Sequence, residues 1–323
     1  METIERRAPA ALARLLRLFL LGGIGLMLAS VQPIAARAEA GGFEEVAPGV
    51  FVRRGADEEA TPANHGAIGN AGFVVGADRV AVIDTGGSLT DGQAILRAVR
   101  AVTDRPVEIV VNTHFHPDHV FGNAAFAGLP GIRIVGHPNL ARGLSARADY
   151  YEERARAAMG GDAESARVVL PTEAASDGTA IDLGGRILEI ALFPSAHTDS
   201  DLTVLDRATG TLFAGDLLFV DRVPSIDGSI RGWLDAIGKL EAMPARRIVP
   251  GHGPTSIPAE DAFAAEKRYL EAIVTGVREA IADGQSIDQA VQSVAQDERA
   301  NWLLFDDYNP RNVTAAFTEL EWE

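Results

Sequence analysis

Three of the chain's seven histidines and one aspartate fall within Asn112-Thr113-His114-Phe115-His116-Pro117-Asp118-His119. Imidazole and carboxylate are the donors that hold Zn²⁺-like ions, and a cation held with an open position activates water for hydrolysis. The spacing suits that task. In an extended segment His114 and His116 point the same way, while Asp118 and His119 fall in the turn that opens the next helix, able to face a second ion. A polar turn with satisfied histidines is the bland alternative, and three imidazoles in one hexapeptide argue against it. Further candidates follow downstream. His197 sits in Ser195-Ala196-His197-Thr198, Asp216 ends a strand-like run at Phe213-Ala214-Gly215-Asp216, and His252 lies in Pro250-Gly251-His252-Gly253. Alone, His197 or His252 would read as a capping or core histidine. The chain has no cysteine, so thiolate metal sites and disulfides are excluded and any metal must rest on His and carboxylate.

The elements that must position these residues are legible as short apolar runs. Val50-Phe51-Val52, residues 72–75 and residues 80–83 read as strands separated by Gly/Asp turns. Residues 94–102 have helical spacing, and residues 107–112 form a strand that ends at the histidine cluster. A strand at 132–135 precedes a long Ala/Arg/Glu-rich helix over about 138–159. Strand-like runs at 179–183, 186–193, 202–205 and 211–214 follow, then a helix near 232–242 and a strand at 247–249. From about Pro258 onward the pattern is helical, with stops expected at Gly284 and Pro310. Strands interleaved with helices in two similar halves predict two sheets covered by outer helices, an α/β four-layer αββα sandwich with a C-terminal helical extension.

Composition bounds the partners. At 323 residues, 47% apolar and 23% charged, the chain can bury a large core, and its formal charge of −16 repels phosphate backbones and anionic membranes. A small-molecule substrate is expected and nucleic acid is not. Residues 1–40 read as a secretory signal peptide. Arg6, Arg7, Arg14 and Arg17 make a basic region, Leu18 to Ala29 a short apolar stretch, and Ala36-Arg37-Ala38 and Ala38-Glu39-Ala40 two cleavage patterns. Retention as an N-terminal anchor is the alternative. The expectation is a periplasmic protein without stable membrane insertion once the signal is removed.

His-x-His-x-Asp-His followed in order by His197, Asp216 and His252 resembles the metal motif of the metallo-β-lactamase superfamily, and Asp84-Thr85-Gly86 resembles its aspartate turn, which buttresses the site without binding metal. The likeness spans residues 45 to 255. It implies a hydrolase domain at 41–255 and a helical extension at 256–323 packed on it. By the same resemblance His114, His116 and His197 would bind one Zn²⁺, Asp118, His119 and His252 a second, and Asp216 would bridge. A hydroxide held by the metals would be the nucleophile, with Asp118 the protein group beside it. Asp216 stands where the lactamases carry a thiolate ligand, so the likeness is to thioesterase and lactonase branches, acting on an ester, thioester, lactone or amide. His116 stands where the di-iron branch carries Glu, which favours zinc. Residues 70–72, His116 to Asn123, Asp201 to Asp206 and Gly215 to Val220 further resemble the quinoprotein relay system zinc metallohydrolases, relatives of the sulfur-oxidation hydrolase SoxH; this implies a link to periplasmic PQQ-dependent quinoprotein dehydrogenases. Three alternatives remain. They are a persulfide dioxygenase-like oxidoreductase with one Fe²⁺ on His114, His197 and Asp216, a β-lactamase, and a metal-stabilised accessory protein without turnover. His65 is a substrate contact or a plain loop histidine, and His137 orients a helix start. Asp199, Ser200 and Asp201 either support the free ring nitrogen of His197 or form a solvated turn.

Overall fold

The computed structural model describes residues 41–159 and 166–323; the expected signal segment, residues 1–40, lies outside the described residues. The first sheet contains seven strands in sequence order: β1 Glu44–Ala47, β2 Val50–Arg53, β3 Ala71–Val75, β4 Val80–Ile83, β5 Val107–Val111, β6 Arg133–Gly136 and β7 Glu173–Ala174. β1 to β4 form an antiparallel meander, and β4 to β7 run parallel. The second sheet has the order β13-β12-β11-β10-β9-β8, from β8 Ala180–Asp182, β9 Ile187–Leu192, β10 Leu202–Asp206, β11 Thr211–Phe219, β12 Arg247–His252 and β13 Ile257–Pro258. Only β11 and β12 pair parallel in it.

Continuous apolar runs are what a sheet buried on both faces requires. Their alternation sorts the side chains into two cores. Val50, Val52, Val74, Ala81, Ile83, Ile109 and Val111 face Leu188, Ile190, Val204, Phe213 and Val249 of the second sheet. Their neighbours Phe51, Phe73, Val80, Val82 and Val110 face away, onto Ile95, Ala98 and Val99 of helix α1 Leu89–Val102 and Phe126 of the short helix α3 Asn123–Phe126. On the far side of the second sheet, Leu212, Ala214 and Ile248 pack against α5 Ile230–Glu241, α6 Ala264–Ala282, α7 Ile287–Ser293 and α8 Phe305–Leu320, around the fully buried Trp233 and Tyr269. The layers are thus helix, sheet, sheet, helix, with a C-terminal helical extension. The remaining helices, α2 Pro117–Val120 and α4 Leu140–Ala158, stand at one end of the sandwich, where Leu140 and Leu144 pack on Phe115 and Phe121. Among the described residues no helix is long and apolar enough to cross a membrane.

Several expectations change. β11 runs nine residues rather than ending near Asp216, so the aspartate lies inside the strand. Gly215 there has φ +54, and the register of β11 on β12 shifts on both sides of it. Such a bulge turns a side chain out of the alternation that a regular strand would impose. Pro310 does not stop α8 but sits inside it. Proline removes one i→i−4 bond, and the carbonyl it leaves belongs to the exposed Asp306, where water can take it up. β7 and β13, of two residues each, are too short to leave a periodic signal, and β1 opens on two glutamates; β13 continues the second sheet past residue 255.

The extension is fastened by polar groups as well as by its core. The Glu319 carboxylate on α8 accepts from Ile230 N (2.9 Å) and from Ser229 Oγ (2.8 Å), at the N-terminus of α5 where a negative charge is favoured. On α6 the wholly buried Glu266 accepts from Phe219 N through Oε1 (2.9 Å), while its Oε2 has no partner among the described residues. Burial holds the Glu266 carboxyl well above its ordinary range. The folded chain therefore keeps this proton at pH values where the unfolded chain has lost it. Stability is retained below the unfolded value of about 4.5 and falls as the pH rises above it. Glu266→Gln keeps the acceptor for Phe219 and removes the charge. Its Tm should match the parent near pH 4.5 and exceed it increasingly toward pH 8, by roughly 2–4 °C for each kcal/mol gained. Thermal unfolding of both proteins across that range checks this; a Tm difference that is constant with pH would show that the carboxyl is ionised in the folded state.

Candidate metal centre

All seven predicted ligands converge at one end of the sandwich. His114 and His116 leave the end of β5, Asp118 and His119 lie in the first turn of α2, His197 lies in the loop between β9 and β10, Asp216 in β11, and His252 ends β12. One set of ligand atoms comes from His114, His116, His197 and Asp216 and another from Asp118, His119 and His252, and within each set all atoms lie within 4.8 Å of one another. Asp216 connects the two. Its Oδ2 is 3.3 Å from His197 Nε2 and 3.5 Å from His252 Nε2, and its Oδ1 is 3.1 Å from His119 Nε2. Asp118 Oδ2 lies 3.2 Å from His252 Nε2 and 3.4 Å from His119 Nε2.

Every ring is tied by the nitrogen that faces away from the centre. His119 Nδ1 donates to Asp84 Oδ2 (2.9 Å), His197 Nδ1 to the Ser225 carbonyl (2.6 Å) and His252 Nδ1 to the Ile68 carbonyl (2.9 Å). His114 Nδ1 meets Thr113 Oγ1 (3.1 Å), and His116 is held the other way round, with Nε2 on Asp227 Oδ2 (3.1 Å). These partners fix the tautomers and aim the remaining lone pairs inward. Asp84 organises more than one of them. It has φ 55 immediately after β4, and its carboxylate also accepts from Thr113 N and Thr113 Oγ1, both at 2.8 Å. A left-handed aspartate is an unusual conformation, here held by three hydrogen bonds. The backbone carbonyl of His119 is fixed in turn by Thr85 N (2.9 Å) and Asn112 Nδ2 (3.2 Å).

The donor set fits cations. His114 Nε2, His119 Nε2 and Asp216 Oδ1 are buried and have no hydrogen-bond partner among the described residues. His197 Nε2 and His116 Nδ1 lie 2.9 Å apart with both outer nitrogens already donating, so two lone pairs face each other. Buried polar atoms are otherwise paired; an ion between them removes the conflict. Electrostatics agree. Burial, reinforced by His119, holds His114 well below the usual histidine range, and burial pushes His197 down to about 3, so both rings are neutral donors. Burial opposes ionisation of Asp118 and Asp216, but the surrounding histidines outweigh it and hold both carboxyls well below their ordinary range. Burial likewise opposes charge on His119, and Asp216, Asp118 and Asp84 outweigh it, raising that ring. The space is closed by backbone: a Cβ at Gly251 would lie 1.9 Å from Asp216 Oδ1, so only glycine fits there.

Other candidates sit elsewhere. His65 is exposed, with φ 51, and is absent from the lining of the cavity beside Asp118, although its neighbour Gly66 belongs to it. Asp199, Ser200 and Asp201 do not reach the His197 ring. Asp201 accepts from Thr198 N (2.9 Å) and Thr198 Oγ1 (2.6 Å), and burial raises its pKa to about 8; Asp199 accepts from Arg142 (2.7 Å). The turn is buried at Ser200 and Asp201 rather than solvated. His137 Nδ1 accepts from Asn139 N (3.0 Å) at the start of α4. Sequence reasoning missed Asp227, whose partner His116 is 111 positions away and which stands in an ordinary Asp-Gly turn. It also missed the carbonyls of Ser225 and Ile68, for which no residue type is a signal. The cavity itself, about 560 Å³, takes walls from α4 and from α8 and reaches Asp118.

The comparisons agree with this geometry. A linear primary-alkylsulfatase of Pseudomonas sp. (strain ATCC 19151) is 42% identical over 45 residues, which is 14% of this chain and 8% of that enzyme. The chain therefore spans only a small part of the curated relative it matches. A beta-lactamase domain protein from Burkholderia ambifaria superposes with a TM-score of 0.64 at 20% identity, covering 88% of this chain and 89% of that one. A stereoselective inverting sec-alkylsulfatase from Pseudomonas sp. superposes with a TM-score of 0.64 at 15% identity, covering 86% of this chain and 50% of that one. The family model of the Metallo-beta-lactamase superfamily matches residues 66–252, more than half of the chain and all seven converging side chains, and the protein belongs to this superfamily of metal-dependent hydrolases.

Proposed function

We propose that the protein is a binuclear zinc hydrolase that cleaves an ester, thioester, lactone or amide, with sulfate esters added by the likeness to alkylsulfatases. One observation carries the reading: two adjoining sets of inward lone pairs share Asp216, each ring oriented from behind by a separate partner. Two zinc ions held there would supply Lewis acidity and bring the pKa of a water to near 7. The chain's own residues supply the rest. Asp84, Asp227 and Thr113 keep three imidazoles in the donating tautomer. Phe219 stacks on His252 with centroids 4.9 Å apart, and Trp233 meets the edge of His197 at 5.2 Å, so the rear of the centre excludes water. Asp118, the more open of the two central carboxylates, lines the cavity and is placed to accept a proton from a water entering there. A single iron on His114, His197 and Asp216 would leave Asp118, His119 and His252 without an ion. Export to the periplasm and a link to quinoprotein dehydrogenases complete the proposal, supported by residues 6–40 and by the family resemblance of residues 116–123 and 215–220.

Metal analysis of the purified chain tests the centre. Two zinc per chain are expected. His116→Ala should lose one and retain most of the other, whereas Asp216→Ala should weaken both, by an order of magnitude or more. Full two-zinc occupancy in the Asp216 variant would remove the bridging role.

Acidity offers a second check. Ligand histidines bind as neutral rings, so protons compete with zinc, and bound metal should fall as the pH drops below about 5.5. Excess zinc should restore both occupancy and hydrolysis of p-nitrophenyl acetate. Activity that disappears in acid while both ions stay bound would place the loss on another group.

A further inference from the structure

The cavity beside Asp118 has walls built from outside the metal motif. α4 contributes Tyr150, Tyr151 and Arg154, Met159 follows at its C-terminal cap, and α8 contributes Tyr308 and Arg311. Its depth follows the exposure of its lining. Asp118 keeps 17% of its side chain accessible, Tyr151 is buried, and Tyr150 is 58% exposed, with Arg154 and Arg311 exposed beside it. Each arginine lies over a tyrosine, Arg154 at 5.8 Å from the Tyr150 ring centre and Arg311 at 5.1 Å from that of Tyr308. Tyr308 is a rigid platform, because the buried Arg222 donates to its hydroxyl (2.8 Å) and the hydroxyl donates to Glu59 (2.5 Å).

Like several other arginines, Arg154 and Arg311 carry no ion pair among the described residues. The chain carries 45 acidic against 29 basic side chains, and Arg53, Arg133, Arg186, Arg207, Arg268 and Arg278 are each paired with a carboxylate. Among the described residues, neither Arg154 nor Arg311 has a carboxylate within 4.0 Å. Glu59, an acidic residue of the cavity lining, is already engaged by Tyr308 and by Arg222 (3.5 Å). Two guanidinium groups at the mouth of a cavity, without a carboxylate partner among the described residues, attract an anion and give it planar hydrogen-bond donors. The aromatic and thioether side chains that share this lining with Asp118 suit an apolar body.

We propose that the substrate is an anionic amphiphile: a negative group, carboxylate or sulfate, is held by Arg154 and Arg311 away from the bond that is cut, and an apolar part lies against Tyr150, Tyr151 and Met159. This rests on the hydrolase reading for the cut itself, but the binding does not. Octanesulfonate, which has no ester bond to cleave, separates the two. Titrated calorimetrically into the full chain, it should bind one to one both with zinc and after chelation, about tenfold tighter than octanol. Arg154→Gln and Arg311→Gln should each weaken it several-fold and the pair by about thirtyfold, leaving octanol binding unchanged. Equal binding of the two probes overturns the proposal, as does a double variant that binds like the parent. Sulfonate binding that requires zinc and ignores both arginines also overturns it, because the anion then sits on the ions. In the zinc-loaded enzyme, the double variant should raise KM for the p-nitrophenyl monoester of glutaric acid about tenfold at constant kcat, and leave p-nitrophenyl acetate unaffected. Turnover of both esters without a charge preference defeats this inference alone. Absence of turnover with the binding pattern intact defeats the hydrolase reading alone.

Discussion

The fold is arranged around one electrostatic constraint: five imidazoles and two carboxylates are gathered in a largely buried cluster, and their lone pairs point at one another. Such a cluster is unstable as bare polar atoms. Orphaned His114 Nε2, His119 Nε2 and Asp216 Oδ1 and the 2.9 Å approach of His116 to His197 show where the conflict concentrates. What holds it is a layer of partners on the far side of each ring, drawn from the β4 turn, the 225–227 loop and the loop that carries Ile68. Site geometry is therefore set by groups that never meet a substrate.

The sandwich makes that layer possible. Parallel pairing of β4 with β5 and of β11 with β12 brings four strands to one end of the molecule, where Asp84 and the His114–His119 cluster leave β4 and β5, Asp216 stands within β11 and His252 ends β12. The core between the sheets fixes the strands on which the ligands stand, because every second residue of each interlocks with the opposite sheet. The bulge at Gly215 is the local exception. It trades one regular ladder position for an aspartate directed at both ligand sets.

Much of this was legible in the sequence, and for identifiable reasons. The His114 to His119 cluster announces itself because its candidate ligands are neighbours, and β3 and β4 stand out as unbroken apolar runs. Asp84 was legible through the Asp-Thr-Gly turn that follows a strand. Asp227, Ser225 and Ile68 were not, since a carbonyl leaves no trace in residue type and a single loop aspartate has no period. The length of β11 was hidden by Gly215 and Asp216, residues that ordinarily end strands, and the passage of α8 through Pro310 by the rule that proline ends helices. Both rules yielded to tertiary packing. The cavity was invisible for a different reason: Tyr308 and Glu59, which brace its mouth, are 249 positions apart.

That separation has a consequence for how such a protein can change over generations. All seven converging side chains lie at or before His252, whereas one cavity wall belongs to a helix that begins at Phe305. Replacements in the outer turns of α8 reshape the opening without touching a donor atom, a tautomer or the interlocked sheets. The α8 wall is thereby written in a stretch of the gene apart from the converging side chains, free to drift at its own speed, while the α4 wall is inherited together with them.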